Sequence, residues 1–205
     1  MVNVIPEGDK DGSYRRVKRA DVLTLFASLT AGPVRSDPLI NDGYAYVVSG
    51  NSLYRVNSSG TVTNLGVVGG SGRSKLEANA VPGDSQILIL NGSGAGFIYD
   101  NANGLVAITD ADFFPSSSVT VLNERFWLAR DGTNEFFGSD ISDGTSYNPL
   151  TFASAEESPD NMVANIAKKS AYWAIGSETT EYWQTYTDIT LPLRQVKGAT
   201  KEWGI

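Results

Sequence analysis

The sequence contains no histidine and no cysteine among its 205 residues. Their absence excludes a Ser-His-Asp triad, a cysteine nucleophile, zinc sites of cysteine and histidine, and acid–base catalysis centred on histidine. It also excludes disulfide bonds, so the sequence does not indicate a redox compartment. Carboxylate groups are the main catalytic or metal-binding side chains that this composition still offers.

Long hydrophobic runs are also missing. No stretch of 18 or more apolar residues occurs, so no segment is predicted to cross a membrane as a helix. Residues 1–20 lack the apolar region of a secretory signal, and we expect none. The hydrophobic fraction of 41% is nevertheless enough for a sizeable core. Twenty-one glycines and eight prolines favour many short elements over long helices.

The formal charge of −7 is distributed unevenly along the chain. Residues 105–165 contain ten carboxylates against only Arg125 and Arg130, a balance that repels phosphate. Solubility alone also explains this charge and is the preferred interpretation. Residues 1–42 are balanced, with six basic and six acidic side chains, but they contain one basic cluster. It consists of Lys10, Arg15, Arg16, Lys18 and Arg19.

Internal repetition is the most informative feature of the sequence. Four short β-like runs each end at a glycine, and these glycines are 42, 40 and 44 residues apart. An aromatic-rich run and then a third run follow each glycine, with Asn-Gly and Asp-Gly pairs typical of tight turns between several of them. The glycine-ended runs are 44–50, 86–92, 126–132 and 172–176.

Four strands in about 42 residues is the spacing of a β-propeller blade. The pattern therefore predicts an all-β fold of about four propeller-like blades, although a generic antiparallel sandwich also has short strands at regular spacing. Runs 44–48 and 86–90 are nearly all apolar, as expected for strands covered on both faces. We predict four antiparallel units at residues 32–68, 74–113, 117–155 and 161–198.

The first part of the chain does not repeat this pattern. We interpret residues 1–42 as an N-terminal arm or attachment segment and residues 43–205 as the blades. Within the arm, residues 21–30 are compatible with either a short helix or a strand. The basic residues face either solvent or a partner, and the candidates for attachment are Arg15, Arg16, Lys18 and Arg19.

No catalytic, cofactor-binding or metal-binding residue is predicted. Glu156, Glu157 and Asp160 are the densest carboxylate group, but no aromatic clamp flanks them, and we interpret them as a surface or inter-subunit loop. The segment 69–73 is rich in glycine but lacks the Lys-Ser/Thr ending of a phosphate loop, which favours a crossover between blades. Core or inter-blade packing is the preferred interpretation of the paired aromatics Phe126, Trp127, Tyr172, Trp173, Tyr182 and Trp183.

Several segments, taken in order, resemble the packaged DNA stabilisation proteins of short-tailed phages. They carry the resemblance by their sequence and spacing together, over about residues 43–205. The family motif Pro-Gly-Leu before the first blade is reduced here to Gly32-Pro33. The segments are 43–56, 60–63, 70–73, 108–113, 138–147, 152–160, 176–183 and 197–205.

The resemblance implies a structural virion protein and not an enzyme. Family members form a ring of identical subunits, usually six, at the tail vertex below the portal and adaptor proteins, near the tail needle or fibres. This nozzle retains packaged DNA and lets it pass at ejection without specific binding, and no cofactor or membrane is implied. Members are more than twice as long, so we expect this chain to be the N-terminal part of a longer protein, with a shortened version of the family protein as the alternative. A carbohydrate- or receptor-binding tail propeller is the alternative.

Overall fold

The computed structural model describes residues 4–8, 14–19, 25–30, 32–79, 81, 83, 85–158 and 160–205. Every regular element in these residues is a β-strand. Across the same residues, no helix has the length and apolar character needed to cross a membrane. The prediction of an all-β fold is therefore confirmed.

Sixteen strands form four antiparallel sheets of four, and within each sheet the strands lie in chain order. Blade 1 contains β3 (Leu39–Asn41), β4 (Tyr44–Ser49), β5 (Ser52–Val56) and β6 (Val62–Val67). Blade 2 contains β7 (Lys75–Ala78), β8 (Ile87–Leu90), β9 (Gly96–Asp100) and β10 (Gly104–Ala107). Blade 3 contains β11 (Ser116–Leu122), β12 (Arg125–Arg130), β13 (Glu135–Asp140) and β14 (Asp143–Ser154). Blade 4 contains β15 (Met162–Lys168), β16 (Ala171–Gly176), β17 (Thr180–Thr185) and β18 (Leu193–Gln195). Each predicted unit corresponds to one of these blades, with bounds that differ by one to seven residues.

The remaining two strands form a separate hairpin near the N-terminus. Strands β1 (Val4–Gly8) and β2 (Tyr14–Arg19) pair antiparallel with each other. Of the segment 21–30, residues 25–30 form neither helix nor strand, and residues 21–24 lie outside the described residues. Because Leu39–Asn41 is the first strand of blade 1, the expected boundary between residues 42 and 43 falls inside the first hairpin of the blade.

The turns follow the predicted chemistry, with one exception. Asp42 and Gly43 join β3 to β4 with φ angles of 47° and 78°, the left-handed pair that a two-residue hairpin requires. The repeated glycines Gly50, Gly92 and Gly132 also have positive φ angles. Gly176, the fourth of this series, does not. It is the last residue of β16, and a Cβ atom there would lie 2.1 Å from a carboxylate oxygen of Asp160.

The hydrophobic core lies between the blades. The core between blades 1 and 2 is built from Tyr46, Val48, Leu53, Val68, Ile87, Ile89 and Tyr99. Between blades 2 and 3 it is built from Leu88, Leu90, Ile98, Phe126, Leu128, Phe137 and Tyr147. Between blades 3 and 4 it includes Trp127, Phe136, Met162, Tyr172, Trp183 and Leu193. No core cluster among the described residues joins blade 4 to blade 1, so the blades form an open arc.

Strand alternation explains why the second strands are apolar throughout. In β8, Ile87 and Ile89 pack towards blade 1, whereas Leu88 and Leu90 pack towards blade 3. Successive side chains of a strand point to opposite faces, so a strand with a blade on each side needs apolar residues at every position. The expectation that run 86–90 is covered on both faces is thereby confirmed.

A buried amide links blades 3 and 4. The Asn165 side chain of β15 donates to the Trp127 carbonyl oxygen at 2.8 Å and accepts a hydrogen bond from the Ser118 hydroxyl, also at 2.8 Å. The Ser118 hydroxyl in turn accepts from the Asn165 backbone N–H. Ser118 and Asn165 lie in β11 and β15, the first strands of blades 3 and 4. Where these two strands approach each other, the hydrogen bonds pair polar groups that would otherwise be buried without a partner.

Arg35 performs the corresponding role between blades 1 and 2. Its guanidinium donates hydrogen bonds to the backbone carbonyl oxygens of Gly50, Gly69, Gly72 and Asn91. These carbonyls belong to loops of both blades, including the 69–73 crossover that connects β6 to β7. The planar guanidinium has five N–H donors in a fixed fork, which allows one side chain to hold several loops together.

Replacing Arg35 with lysine should lower the free energy of unfolding by about 2–4 kcal/mol, because an ammonium group cannot reach four carbonyls from one point. Urea unfolding at neutral pH measures the change. The matched control is Arg73→Lys. Arg73 is exposed and forms an ion pair with exposed Asp37, at 2.6 Å. The control should lose less than about 1 kcal/mol, and equal losses in both variants would contradict a linking role for Arg35.

Candidate functional sites

The predicted attachment residues share one strand. Arg15, Arg16, Lys18 and Arg19 all lie in β2 of the N-terminal hairpin. Its backbone pairs with β1, with Arg16 across from Glu7 and Arg19 across from Val4. Lys10, the fifth residue of the basic cluster, lies outside the described residues. The fold thus gathers four cationic residues within six positions of one strand.

The three carboxylates that form a group in the sequence have different surroundings in the structure. Glu156 and Glu157 are exposed, whereas Asp160 is buried. One Asp160 carboxylate oxygen accepts hydrogen bonds from the backbone N–H groups of Glu178 and Thr179, at 2.8 and 2.9 Å. The other accepts one from the Thr179 hydroxyl at 2.8 Å. Asp160 therefore anchors the turn between β16 and β17.

These hydrogen bonds control the ionisation of Asp160. Burial by itself raises the pKa of this carboxyl, but the bonds donated by Glu178 and Thr179 outweigh burial and hold its pKa below the ordinary range. Among the described residues, no group of three or more acidic side chains is arranged to hold a metal ion.

Glu181 is a buried carboxyl that sequence reasoning missed. Its side-chain oxygens accept hydrogen bonds from the Glu157 backbone N–H at 2.8 Å, the Trp183 indole N–H at 3.2 Å and the Gln195 amide at 2.9 Å. Burial outweighs these bonds and raises the pKa of Glu181. A signal was available, since Glu181 stands two positions before the inward-facing Trp183 in one strand.

A cavity with a partly aromatic lining lies beside blade 3. It has a volume of about 170 Å³ and is lined by Asp112, Phe114, Arg130, Glu135, Phe137, Asn148, Pro149 and Phe152. The Arg130 guanidinium pairs with Glu135 at 2.6 Å and lies 4.0 Å above the centre of the Phe114 ring. Phe152 is 47% exposed at its mouth. Aromatic faces combined with a few fixed polar groups are typical of small-ligand sites.

Four of the six paired aromatics are core residues, as expected. Phe126, Trp127, Tyr172 and Trp183 are each at most 7% exposed. Trp173 and Tyr182 differ, because both are partly exposed. They lie across from each other in β16 and β17, with ring centres 5.5 Å apart, and neither belongs to the core between blades 3 and 4. The packing interpretation therefore holds for the residues between blades but not for this last pair.

Comparison with protein families gives one match over most of the chain. A family model described as "Bacteriophage P22 Gp10, beta-propeller" matches residues 14–205. No curated protein sequence matches the chain.

Solved structures show the same fold at low sequence identity. The computationally designed Ika4 protein has a TM-score of 0.55 at 8% identity, over 80% of this chain and 99% of that one. The designed Ika8 protein has a TM-score of 0.55 at 10% identity, over 88% and 54%. Streptogramin B lyase has a TM-score of 0.54 at 16% identity, over 80% and 53%. The chain thus spans about half the length of the latter two, and these likenesses show the fold alone.

The two buried carboxyls should make opposite contributions to the pH dependence of stability. Asp160 has a lowered pKa in the folded state, so its stabilisation is present above the unfolded pKa and is lost as pH falls through the folded one. Glu181 has a raised pKa, so its contribution is present below the unfolded pKa and is lost as pH rises through the folded one.

Urea unfolding of the wild type, Asp160→Asn and Glu181→Gln between about pH 3 and pH 7 measures this difference. The stability of the wild type relative to Asp160→Asn should increase with pH. Relative to Glu181→Gln it should decrease with pH. Parallel pH profiles for all three proteins would contradict both assignments.

Proposed function

The chain belongs to the phage structural family described as Bacteriophage P22 Gp10, beta-propeller, and on this premise we propose that it is a component of the tail vertex. In this role it forms part of a nozzle ring that retains packaged DNA and lets the DNA pass during ejection. The family match over residues 14–205 is the observation that carries the proposal.

The proposed partners are copies of the same chain and the neighbouring tail-vertex proteins. Identical subunits joined by one repeated heterologous interface form a closed ring when the rotation closes. We expect six copies, attached to the portal and adaptor proteins on one side and adjoining the tail needle or fibres on the other.

The charge of the blades is consistent with DNA passage without tight binding. Residues 43–205 contain seven more acidic than basic side chains. Duplex binding is driven largely by release of counterions when basic residues neutralise phosphates. A surface with excess carboxylates opposes that process, so a duplex beside it remains free to slide.

The basic strand β2 supplies the proposed attachment to the tail vertex. Arg15, Arg16, Lys18 and Arg19 would pair with carboxylates of an adaptor protein or of a neighbouring subunit. A solvated N-terminal segment is the competing interpretation, and the outcome of the following substitutions separates the two.

Changing Arg15, Arg16, Lys18 and Arg19 to serine should reduce docking onto the tail vertex and let packaged DNA leak, without changing the thermal transition of the isolated chain. Co-sedimentation with portal–adaptor particles measures docking, and nuclease-accessible DNA measures retention. The matched control changes the exposed lysines Lys75, Lys168, Lys169 and Lys197 to serine. This control removes the same charge from the blades and should dock normally.

Two results would contradict these proposals. If particles with the serine variant keep both the protein and their DNA, β2 has no attachment role. If the unmodified chain binds duplex DNA tightly at physiological salt in a titration followed by fluorescence anisotropy, the proposal that DNA slides past the blades without tight binding is wrong.

A second candidate function is recognition of a carbohydrate receptor, favoured by the cavity beside blade 3. The cavity of about 170 Å³ combines Phe114, Phe137 and Phe152 with the ion pair of Arg130 and Glu135. The rings offer apolar faces and the charged groups offer fixed hydrogen-bond partners, which together suit one sugar unit.

Binding to a glycan array separates this candidate from the nozzle role. If the cavity binds a glycan, Phe152→Ala should weaken that binding about tenfold, through loss of about 1–2 kcal/mol of aromatic contact. Phe26→Ala, a similarly exposed phenylalanine outside the cavity, should bind as the wild type does. Absence of any bound glycan, together with docking to portal–adaptor particles, would leave the nozzle role alone.

A further inference from the structure

The sequence contains two Asn-Gly pairs, and both lie in connections within blade 2. Asn91 and Gly92 follow β8, whereas Asn103 and Gly104 stand where the turn from β9 enters β10. An asparagine before glycine is prone to cyclise, because glycine has no side chain to hinder the approach of its backbone nitrogen to the asparagine side chain. The two pairs share this chemistry, so a difference in their reactivity has to come from the fold.

The fold holds Asn91 in place. Its side chain is buried, and its oxygen accepts hydrogen bonds from the backbone N–H groups of Ser93 and Ala95, at 2.9 and 3.2 Å. Its amide nitrogen donates to the Val68 carbonyl oxygen at 2.9 Å. The following glycine is enclosed as well, since a Cβ atom at Gly92 would lie 2.6 Å from backbone atoms of the crossover between β6 and β7. The side chain and the next peptide therefore have no room to turn towards each other.

Asn103 is exposed and less constrained. Among the contacts of the described residues, its side chain makes one hydrogen bond, donated by the amide nitrogen to a carboxylate oxygen of Asp100 at 3.0 Å. A Cβ atom at Gly104 would meet nothing within 4 Å, and the φ angle there is 73°. Gly104 pairs with Asp100 as the last pair of the hairpin, so local opening of this pair is enough to free its backbone nitrogen.

We propose that Asn103 is a site of spontaneous deamidation in the folded protein and that the fold protects Asn91 from the same reaction. Solvent base removes the Gly104 N–H proton, and this nitrogen attacks the side-chain carbonyl carbon of Asn103. A new C–N bond closes a cyclic imide, the bond from that carbon to the side-chain nitrogen breaks, and the nitrogen takes up a proton from solvent and leaves as ammonia. Water then opens the imide at either carbonyl, which leaves aspartate or isoaspartate at position 103.

The cost of bringing the reacting atoms together distinguishes the two pairs. Ring closure requires the glycine nitrogen to approach the side-chain carbon in one orientation, so the rate depends on how often the chain adopts that geometry. Rotation at Asn91 breaks three hydrogen bonds in a buried site, whereas rotation at Asn103 breaks one in an exposed turn. Exposed turns open at a low free-energy cost, and buried segments open at a cost that approaches global unfolding.

Deamidation at this position changes the turn in which it occurs. The buried Asp100 carboxylate accepts hydrogen bonds from the backbone N–H groups of Ala102 and Asn103, at 2.9 and 2.6 Å, as well as from the Asn103 amide. A carboxylate at position 103 has no N–H to donate, and its charge repels that of Asp100. Isoaspartate also lengthens the main chain within the turn, which displaces Gly104 from its pairing with Asp100. The modified protein is therefore more acidic and its β9–β10 hairpin is less stable, whatever role the chain has in the virion.

Peptide mapping by mass spectrometry tests the proposal on the folded 205-residue chain, incubated in mildly alkaline buffer. The peptide with Asn103 should gain the mass difference between an amide and a carboxylic acid at least about tenfold faster than the peptide with Asn91. A protein isoaspartyl methyltransferase should label the same peptide. The rate should increase with pH, because the attacking nitrogen has to lose its proton. Asn103→Gln keeps an amide but requires a larger ring, so this variant should lose most of the acidic species that isoelectric focusing detects in the wild type.

The unfolded chain is the control that assigns the difference to the fold. In concentrated urea the two pairs lose their different surroundings, so Asn91 should deamidate at a rate within about threefold of Asn103. A folded chain that keeps its amide at Asn103, or that converts Asn91 equally fast, would overturn the proposal. An Asn91 that stays unmodified in urea would overturn it as well, since its protection would then come from the local sequence and not from the folded structure.

Discussion

Burial of both faces of each sheet is the constraint on which the rest of this structure depends. A four-stranded blade presents apolar side chains on two sides, and neither side is stable against water unless another blade covers it. The chain meets this requirement by alternation, as in β8, where Ile87 and Ile89 serve one core and Leu88 and Leu90 serve the next. The four blades joined in this way share three internal cores.

Polar groups at the junctions fix how the blades meet. Apolar packing between sheets tolerates sliding, whereas hydrogen bonds of defined geometry do not. Arg35 holds four carbonyls from the loops of blades 1 and 2. Asn165 holds blade 4 to blade 3 through the Trp127 carbonyl. Asp160 holds the turn between β16 and β17, and Glu181 holds the crossover into blade 4 by accepting a hydrogen bond from the Glu157 N–H. These contacts give the charged and amide residues of the interior a structural purpose, consistent with a phage structural family.

The functional residues of such a protein are expected on surfaces and not in a catalytic cleft. In the proposed role, the excess of carboxylates over residues 43–205 would favour DNA passage, and the cationic strand β2 would serve attachment. The cavity with Arg130 and Glu135 combines aromatic faces with charged groups that suit a small ligand. Each surface acts through shape and charge, which the rigid blades hold in place.

The sequence by itself determined the fold class, the number of blades and most of their boundaries. This was possible because hydrogen bonding within a blade is local, so strand length, turn glycines and aromatic positions repeat every 40 to 44 residues. The absence of histidine and cysteine likewise limited the chemistry without any structure. The spacing also suggested that Gly176 continues the turn series, but its backbone does not have the positive φ of the other three glycines.

Only the tertiary structure decided which residues meet across blades. The Asp160 carboxylate lies close to Gly176, and Glu181 accepts a hydrogen bond from the Glu157 backbone N–H. Arg35 donates a hydrogen bond to the carbonyl oxygen of Asn91, 56 positions away along the chain. The partial exposure of Trp173 was equally hidden, since Trp127 in the second strand of blade 3 is buried. Local pattern specifies what a residue is suited to contact. Whether that contact exists depends on which blade lies beside it, and this is a property of the arc as a whole.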